Sequence, residues 1–588
     1  MVRQFSTTSN FYPTSNPDYA PGSHQDNVGW RPMITCPAQP CGHYNCVTMT
    51  STPCPPADPI SSVDAGQLKA MLHDGGEIAL LDVREAGQFG ESHLLFATSV
   101  PYSRLELEIF RLVPRLSVRL VICDDGELGV ARLAAGRLAM LGYTDVATLD
   151  GGTRGWAAAG YTLFAGVNVP SKTFGELVEH AYHTPRITAT ELVRMRDAGE
   201  DFVIFDGRTF DEYRRQTIPG STCCPNAELP YRIASMVTNP TTKIIVNCAG
   251  RTRSILGAQT LINFGIRNPV YALENGTQGW VLSGYPLEHG AQRKYPEHLD
   301  LTALLAQQTA AQKLMARHSI GSVTAAQLET WLDDASRTTF LFDVRTEEEY
   351  AAGTAPGAIH APGGQLIQAT DLWVGVRNAR IVLLDSECVR AAVVASWLKQ
   401  LGCDAYVLTE GVRAALRPRQ VPAITLPPPA SVTARELKSV LKAAGCTVFD
   451  LGASMSFRKA HIPGSRWSIR PRIAAATRNT NDRVVLVADN PELARLAAAE
   501  LSAAGCKDIR LLAGGLKAWT DAGYPTAESP DTPPDRECID YLFFVHDRHA
   551  GNQTAMKQYL AWETGLLAQL DEQDLQSFRV NSPSRRIP

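Results

Sequence analysis

The sequence predicts an α/β protein made of four tandem three-layer domains, each a mainly parallel sheet flanked by helices. Three observations predict this fold. An apolar segment ending in aspartate occurs four times, a second apolar segment follows each one, and each second segment leads into a helical pattern that stops at glycine. Strands that alternate with helices form parallel sheets covered on both faces. Recurrence of the same order along the chain indicates repeated domains.

Each repeat opens with an apolar strand that ends in aspartate. The four segments are IALLDVRE at 78–85, FVIFDGRTFDEY at 202–213, FLFDVRTEEEY at 340–350 and TVFDLGASMSF at 447–457. Three of them continue as Asp-x-Arg, namely Asp82/Arg84, Asp206/Arg208 and Asp343/Arg345, whereas Asp450 has no arginine two residues later. Three repeats then reach a Pro-Gly turn, at 219–220, 356–357 and 463–464.

Each repeat continues with a second strand, a helix and a third strand. The second strands are RLVIC at 119–123, KIIVN at 243–247, RIVLL at 380–384 and RVVLV at 483–487. The helical patterns that follow stop at Gly142, Gly265, Gly402 and Gly505, and glycine after a periodic apolar segment marks a helix C-terminus. The third strands lead to LDGGTRGW at 149–156, LENGTQGW at 273–280, LTEGVRAA at 408–415 and LAGGLKAW at 512–519.

Size and composition indicate an ordinary globular protein. The chain has 588 residues, of which 44% are apolar and 20% charged, enough for about four domains of roughly 150 residues. A formal net charge of −4 gives no reason to expect a nucleic acid partner. No apolar run approaches the roughly 18 residues of a membrane helix, and the N-terminus lacks the apolar core of a signal peptide. We therefore expect a cytoplasmic protein with no membrane partner.

The first 58 residues differ in composition from the repeats. They are rich in Pro and Ser and contain Cys36, Cys41, Cys46, Cys54 and His43. A zinc site is conceivable, but these spacings match no paired Cys-x2-Cys pattern. We predict a disordered leader over 1–58, with Met49 as an alternative start. The sequence contains no metal cluster, Walker loop or dinucleotide fingerprint, so we predict neither a metal nor a cofactor.

The second repeat carries a cysteine where its second strand ends, in the segment IIVNCAGRTRSILGAQTL at 244–261. Aligned by their strands, the other repeats place Asp124, Asp385 and Ala488 opposite Cys248. Cys123 lies one position earlier, opposite Asn247, where the alternation of a strand turns the side chain to the other face. Cys388 lies beyond the loop entrance and is predicted to be structural. Only one repeat therefore presents a thiol at this position.

The residues after Cys248 predict an activated thiol. The loop Ala249-Gly250-Arg251-Thr252-Arg253 can curl so that its backbone N–H groups point at one centre, which forms an anion-binding nest. Gly250 permits the backbone angles of such a curl, and the helix predicted to start near 253–254 adds its positive N-terminal end. These features favour an anionic sulfur, which is the nucleophilic form of cysteine. The two arginines suit an anionic substrate, since a guanidinium binds oxyanions through paired hydrogen bonds.

The Asp-x-Arg strand end, the Pro-Gly turn, the cysteine loop and the final Gly-x-x-x-Trp together resemble the rhodanese family of thiosulfate sulfurtransferases. The resemblance implies four rhodanese-like domains covering about two thirds of the chain, at 59–166, 183–290, 319–420 and 428–526, of which only the second is catalytic. We expect linkers at 167–182 and, in helical form, at 291–318. An amphipathic helix over 553–569 and a tail are expected in the segment 527–588.

The resemblance implies covalent catalysis by Cys248. The thiolate would take a sulfane sulfur from thiosulfate or a similar small donor and hold it as a persulfide. A thiol, cyanide or a protein acceptor would then remove it, with ping-pong kinetics. Two alternatives stay open: a persulfide carrier or scaffold with little turnover, and a cysteine phosphatase or arsenate reductase. Four residues separate Cys248 from Arg253, whereas phosphatases use five, and this shorter ring favours sulfur.

Several residues near the predicted loop have supporting interpretations. Asp206 and Arg208 would brace the loop from below, and their recurrence in repeats without the thiol favours a scaffold role. Glu212 and Tyr213, which recur at 349–350, have the same interpretation. Cys224, beside Cys223, is a possible second thiol that resolves the persulfide, although two buried fillers explain the pair as well. Glu228 and Arg232 could contact substrate, but nothing in the sequence ranks them. In the repeats without the thiol, an aspartate carboxylate could itself occupy the nest.

Overall fold

A computed structural model describes residues 47–48, 60–297, 301–419, 422, 424–443, 445–477 and 483–580. The predicted leader and the alternative start at Met49 lie outside these residues, except for a short strand β1 (Val47–Thr48) that pairs with Ile424–Thr425. Within the described ranges the chain forms four five-stranded sheets with one strand order. Every strand pair in these four sheets is parallel. The predicted α/β fold of four parallel sheets flanked by helices is confirmed.

The first two domains are joined by a helix. The first domain contains β2 (Ser61–Val63), α1 (Ala65–His73), β3 (Ile78–Asp82), α2 (Ala86–Glu91), β4 (Thr98–Ser99), α3 (Leu105–Leu112), β5 (Arg119–Cys123), α4 (Val130–Met140), β6 (Val146–Leu149) and α5 (Gly152–Ala158). The joining helix is α6 (Val169–Tyr182). The second domain contains β7 (Arg186–Ile187), α7 (Ala189–Asp197), β8 (Phe202–Asp206), α8 (Phe210–Arg215), β9 (Thr222–Cys223), α9 (Leu229–Met236), β10 (Lys243–Asn247), α10 (Thr252–Phe264), β11 (Val270–Leu273) and α11 (Gly276–Leu282).

The third and fourth domains follow a second helix, α12 (Leu301–Arg317), in the segment predicted as a helical linker. The third domain contains β12 (Gly321–Val323), α13 (Ala325–Leu332), β13 (Thr339–Asp343), α14 (Glu347–Ala351), β14 (Ile359–His360), α15 (Gly363–Gln368), β15 (Arg380–Leu384), α16 (Arg390–Gln400) and β16 (Asp404–Leu408). After β17 (Ile424–Thr425), the fourth contains β18 (Ala430–Val432), α17 (Ala434–Lys442), β19 (Cys446–Asp450), α18 (Ser454–Lys459), β20 (Arg466–Trp467), α19 (Arg470–Ala476), β21 (Arg483–Val487), α20 (Pro491–Ala503), β22 (Ile509–Leu512) and α21 (Gly515–Asp521).

The C-terminal segment adds three helices: α22 (Phe543–His546), α23 (Gln553–Thr564) and α24 (Glu572–Gln576). The sequence predicted one helix over 553–569, but the α-helix ends at Thr564 and a separate turn of 3-10 helix follows at Leu567–Gln569. None of the helices in the described ranges is both long enough and apolar enough to cross a membrane.

Local sequence signals explain where the repeated helices begin and end. In the second domain Thr188 and Thr209 form capping boxes with Glu191 and Glu212, which satisfy backbone N–H groups at the helix starts. Gly265 ends α10 with φ 87°, a left-handed conformation that glycine adopts without a steric penalty. The three equivalent glycines of the other domains also have positive φ, so the predicted helix stops are confirmed.

The sheet of the second domain is buried on both faces. Along β10, Ile244 and Val246 pack into one apolar cluster with Ala258 and Leu261 of α10. Ile245, between them, packs on the opposite face with Trp280. This alternation is the period-2 pattern of a strand covered by helices on both sides. It fixes the register of β10 and therefore the position of the residue that follows it.

The domains also contact one another through buried polar groups. Arg390 of the third domain binds Glu228 of the second at 3.0 Å, and Trp397 Nε1 donates to Thr260 Oγ1 at 2.8 Å. Tyr102 of the first domain donates to Glu500 of the fourth at 2.6 Å. The second domain is thus packed against the third, and the first against the fourth.

Candidate active site

Cys248 lies at the C-terminal end of β10, the central strand between β8 and β11. Its loop runs to Thr252, where α10 begins, one or two residues earlier than the sequence predicted. Cys248 is only 2% exposed, and every residue from 248 to 254 is buried. The thiol therefore lies at the N-terminal end of a 13-residue helix, in surroundings that stabilise negative charge.

The backbone of Cys248 is held by the LENGTQGW segment. Thr277 N–H donates to the Cys248 carbonyl at 2.8 Å, and Gln278 N–H donates to the Ala249 carbonyl at 3.1 Å. A Cβ on Gly276, whose φ is 53°, would collide with the Cys248 carbonyl oxygen. Glycine is therefore required here for the close approach of two backbones. This explains the recurring glycine without a contact to substrate.

The same contact identifies the equivalent residues in the other three domains. A Cβ on Gly152, Gly411 or Gly515 would meet the carbonyl oxygen of Asp124, Asp385 or Ala488, respectively. Thr153 N–H donates to the Asp124 carbonyl at 2.8 Å, as Thr277 does to Cys248. These three residues thus stand at the position of Cys248, and none of them has a thiol.

The aspartates at this position fill their own loops. The Asp385 carboxylate accepts hydrogen bonds from the backbone N–H groups of Cys388, Val389 and Arg390, at 2.6, 3.1 and 2.8 Å. The Asp124 carboxylate accepts from Gly126 and Ala131 at 2.7 and 3.0 Å. The expectation that an aspartate would occupy the nest is confirmed, and the bonds show that backbone N–H groups of this loop can converge on a single carboxylate.

The two loop arginines anchor the loop to neighbouring helices. Arg251 binds Glu176 at 2.7 and 2.8 Å and also binds Glu179, both on α6. Arg253 donates to both carboxylate oxygens of Glu212 on α8, at 2.8 and 2.7 Å. Both arginines are buried. The sequence suggested that the two arginines bind an anionic substrate. In the structure, both guanidinium groups are instead paired with carboxylates of the protein itself.

The pKa values of the paired glutamates depend on two opposing effects: burial raises them, and the ion pairs with the arginines lower them. Burial raises the pKa of Glu176 to about 7, although Arg251 opposes the shift. Burial also acts to raise the pKa of Glu212, but Arg253 outweighs it and holds that pKa well below its usual range. Glu212 therefore stays ionised in the neutral range and keeps Arg253 in place.

Asp206 and Arg208 lie directly below the loop. Arg208 donates to the two carboxylate oxygens of Asp206 at 2.9 and 2.7 Å. Asn247 Nδ2, from the residue before Cys248, donates to Asp206 at 3.0 Å. Both members of the pair are buried. This is the geometry of a brace that fixes the end of β10.

Of the other cysteines considered as thiols, Cys123, Cys223 and Cys224 are buried and Cys388 is half-buried. Cys224 is fully buried in the apolar cluster that contains Phe205 and Leu229, and burial raises the pKa of its thiol well above the usual value. Cys223 is also fully buried, and its pKa is raised for the same reason. Cys123 pairs in register with Asp82 as Asn247 does with Asp206, and burial raises its pKa too. Cys388 is half-buried, and its Sγ lies 3.8 Å from the Leu408 carbonyl.

Cys224→Ser is expected to leave turnover at Cys248 unchanged, because the Cys224 thiol is packed as an apolar filler. The substitution should instead lower the stability of the second domain, by about 1 kcal/mol for a buried hydroxyl that lacks a full set of partners. Steady-state turnover and the thermal unfolding midpoint measure the two effects. A turnover loss of more than about ten-fold, which is 1.4 kcal/mol in free energy, at an unchanged midpoint would instead make Cys224 a resolving thiol.

Glu228 and Arg232 have structural partners. Arg232 Nε binds Glu228 at 3.0 Å, and the other oxygen of Glu228 binds Arg390 of the third domain at 3.0 Å. Glu228 therefore joins the second domain to the third, with Arg232 bound beside it. Among the described residues, no group of three or more His, Cys, Asp or Glu side chains is arranged to hold a metal ion. The leader cysteines lie outside those residues.

Sequence reasoning missed the residues that cover the loop. Lys172, Glu176 and Glu179 come from α6, in the segment predicted as a linker, and Tyr559 and Glu563 come from α23. Thr252 Oγ1 donates to Glu563 at 2.5 Å. The apolar periodicity of 553–569 indicated an amphipathic helix, but no signal in the sequence identified the Cys248 loop as the surface that it covers.

Comparison with known proteins agrees with this geometry. The family described as the rhodanese-like domain matches residues 64–159, 188–283, 324–416 and 433–522, more than half of the chain. The chain belongs to the rhodanese-like domain family. The four matches coincide with the four sheets, and only the second rhodanese-like domain carries a cysteine at the position of Cys248.

Two relatives extend the comparison. A crystal structure of thiosulfate sulfurtransferase from Pseudomonas aeruginosa is 43% identical, with a TM-score of 0.82, over 88% of this chain and 99% of that one. An HTH-type transcriptional regulator, Rv0324, of Mycobacterium tuberculosis is 33% identical over 105 residues, 18% of this chain. The chain spans 45% of the length of that curated relative. The family and the first structure support sulfurtransferase activity.

Proposed function

We propose that this protein transfers a sulfane sulfur from thiosulfate to a small thiol or cyanide through a persulfide on Cys248. The Cys248 thiolate attacks the outer sulfur of thiosulfate, the sulfur–sulfur bond of the donor breaks, and sulfite leaves with the electron pair. Cyanide then attacks the outer sulfur of the persulfide, which forms thiocyanate and returns the thiolate. The similarity to the Pseudomonas aeruginosa thiosulfate sulfurtransferase supports thiosulfate as donor.

The observation that carries the proposal is the way in which the loop of the third domain binds the side chain of Asp385 through its backbone N–H groups. Asp385 stands at the position of Cys248, and its Oδ2 accepts from the backbone N–H groups of Val389 and Arg390. An aspartate oxygen lies two bonds from Cβ, as does the outer sulfur of a cysteine persulfide. The equivalent N–H groups of Thr252 and Arg253 are thus suited to hold that outer sulfur as an anion.

The arginine geometry argues against the phosphatase alternative. A phosphate-binding arginine presents its paired N–H groups to the oxyanion. Here both terminal nitrogens of Arg253 donate to Glu212. Arg251 is likewise committed to Glu176 and Glu179. The loop is left with backbone N–H groups, which suit one sulfur atom better than a tetrahedral oxyanion.

Parallel assays with thiosulfate plus cyanide and with an aryl phosphate test this proposal. We expect repeated thiocyanate formation with ping-pong kinetics, and no aryl phosphate hydrolysis above the rate of the Cys248→Ser variant. One equivalent of sulfur taken up with no further turnover would instead identify a persulfide carrier. Hydrolysis of the aryl phosphate that depends on Cys248 would identify a phosphatase.

A further inference from the structure

The loop that carries the thiol is more completely covered than the equivalent loops of the other three domains. Residues 248–254 are all buried, but residues 126–129 of the first domain and 489–491 of the fourth are exposed, and residues 386–388 of the third are half-buried. The four loops share one position at the sheet edge, so the difference comes from what packs on them. In the second domain Cys248 itself is only 2% exposed.

Part of the cover is helix α23, from the C-terminal segment. Its Tyr559 and Glu563 are 3% and 0% exposed. Tyr559 Cε1 and Glu563 Oε2 lie 3.3 and 3.1 Å from the point where a Cβ on Gly250 would stand. Glycine at 250 therefore leaves room for both side chains to rest directly on the loop.

Glu563 lies where the loop binds negative charge. Its Oε1 accepts from Thr252 Oγ1 at 2.5 Å and lies 3.4 Å from the Thr252 backbone nitrogen. The equivalent N–H group of the third domain, on Val389, donates to the Asp385 carboxylate. The first and third domains thus fill this loop with their own aspartate, and the second presents it to a carboxylate from another part of the chain.

The contacts of Glu563 are those of a group that can be displaced. Its Oε2 is buried and has no hydrogen-bond partner among the described residues, and a buried carboxylate oxygen without a partner is costly. Lys172 Nζ lies 3.7 Å from Oε1, beyond hydrogen-bond distance. An anion that bonded both Thr252 and Lys172 would replace Glu563 with better contacts.

We propose that Glu563 is a gate that occupies the anionic subsite of the donor, and that the donor displaces it to bind Lys172 and the Thr252 amide. This deepens the proposed function and rests on it for the identity of the donor. The displaced carboxylate moves outward with α23, which opens the route to Cys248. Glu563 selects donors by charge, since only an anion compensates Lys172 once the glutamate has moved.

Alkylation of Cys248 tests the gate without any sulfur transfer. Iodoacetate and iodoacetamide react with the thiolate in the same way but differ by one negative charge, so the ratio of their rates reports the charge of the subsite. The rates are measured on the full-length protein by mass spectrometry of the peptide that contains Cys248. Glu563→Gln keeps a side chain that can bond Thr252 and removes the charge. Lys172→Gln removes the cation, and Glu572→Gln, at an exposed position in the next helix, is the matched control.

We expect Glu563→Gln to raise the ratio of iodoacetate to iodoacetamide rates about ten-fold, and Lys172→Gln to lower it by a similar factor, as opposite charges a few ångströms away require. Glu572→Gln should leave the ratio at the wild-type value. Equal ratios in wild type, Glu563→Gln and Lys172→Gln would overturn the proposal. The proposal would also be overturned if Glu563→Gln raised the iodoacetate and iodoacetamide rates by the same factor. Glu563 would then only cover the loop, without acting through its charge. If the ratios change as expected but the protein does not turn over thiosulfate, the gate proposal stands and thiosulfate is not the donor.

Discussion

Cys248→Ser is expected to abolish sulfur transfer from thiosulfate to cyanide, with a fall in kcat of about 10³-fold or more, as for loss of a covalent nucleophile. A serine hydroxyl at this position is not ionised near neutral pH and cannot accept a sulfane sulfur. The fold should be retained, because serine is close in size to cysteine and the Cys248 backbone keeps its bond from Thr277. Initial rates of thiocyanate formation, with the thermal unfolding midpoint alongside, measure the effect.

Cys123→Ser is the matched control for this prediction. Cys123 ends the equivalent strand of the first domain and is fully buried. We expect Cys123→Ser to keep the wild-type turnover, with at most a modest loss of stability. If instead Cys248→Ser retained turnover and Cys123→Ser lost it, the reacting thiol would lie in the first domain, and the assignment of the active site would be wrong.

Asp206→Ala is expected to destabilise the second domain by about 3–5 kcal/mol, the usual effect of removing one partner from a buried ion pair. The substitution leaves the Arg208 guanidinium, which is 2% exposed, without its carboxylate. It also removes the acceptor of Asn247 Nδ2, so the end of β10 loses its support and turnover should fall together with stability. Urea unfolding and initial rates report the two losses.

The third domain supplies a matched variant for this brace. Asp343 binds Arg345 through the same bonds, at 3.0 and 2.6 Å, as Asp206 binds Arg208. We expect Asp343→Ala to cause a similar loss of stability in its own domain while the turnover of the folded protein is kept. A turnover loss in Asp343→Ala as large as in Asp206→Ala would show that the brace acts on the whole protein and not on the Cys248 loop.

Much of the site follows from local sequence. The strand that ends at Asn247, the glycine that ends α10 and the Asp-x-Arg pair are short-range patterns, and the structure places them as a parallel sheet requires. Comparison of the four repeats aligned Cys248 with Asp124, Asp385 and Ala488. The shared carbonyl contacts place those residues at one position. Internal repeats gave this information without any other sequence.

The cover of the loop could not be predicted for a physical reason. Arg251 binds Glu176, 75 positions away, and Thr252 binds Glu563, 311 positions away. Periodicity indicates which face of a helix is buried, but it does not indicate which surface buries it. The basic loop therefore suggested an arginine pair that faces substrate, whereas the folded chain neutralises both arginines with glutamates from α6 and α8.

The first and third domains, which lack the thiol, satisfy the same loop in other ways and contact their neighbouring domains. Asp385 accepts from the N–H groups equivalent to those of Thr252 and Arg253, whereas Asp124 accepts from two other N–H groups of its loop, on Gly126 and Ala131. These bonds satisfy loop N–H groups that would otherwise lack a partner. The third domain binds the second through Arg390 and Glu228, and the first binds the fourth through Tyr102 and Glu500. The third domain is therefore joined directly to the domain that carries Cys248.

The most direct test of a single persulfide site is mass spectrometry of the full-length protein after exposure to thiosulfate and removal of excess donor. Wild type is expected to gain the mass of one sulfur atom, located on the peptide that contains Cys248, and to lose it when cyanide is added. Cys248→Ser should gain no sulfur. An added sulfur that persists in Cys248→Ser, or one that maps to the peptide of Cys123, Cys224 or Cys388, would contradict the account.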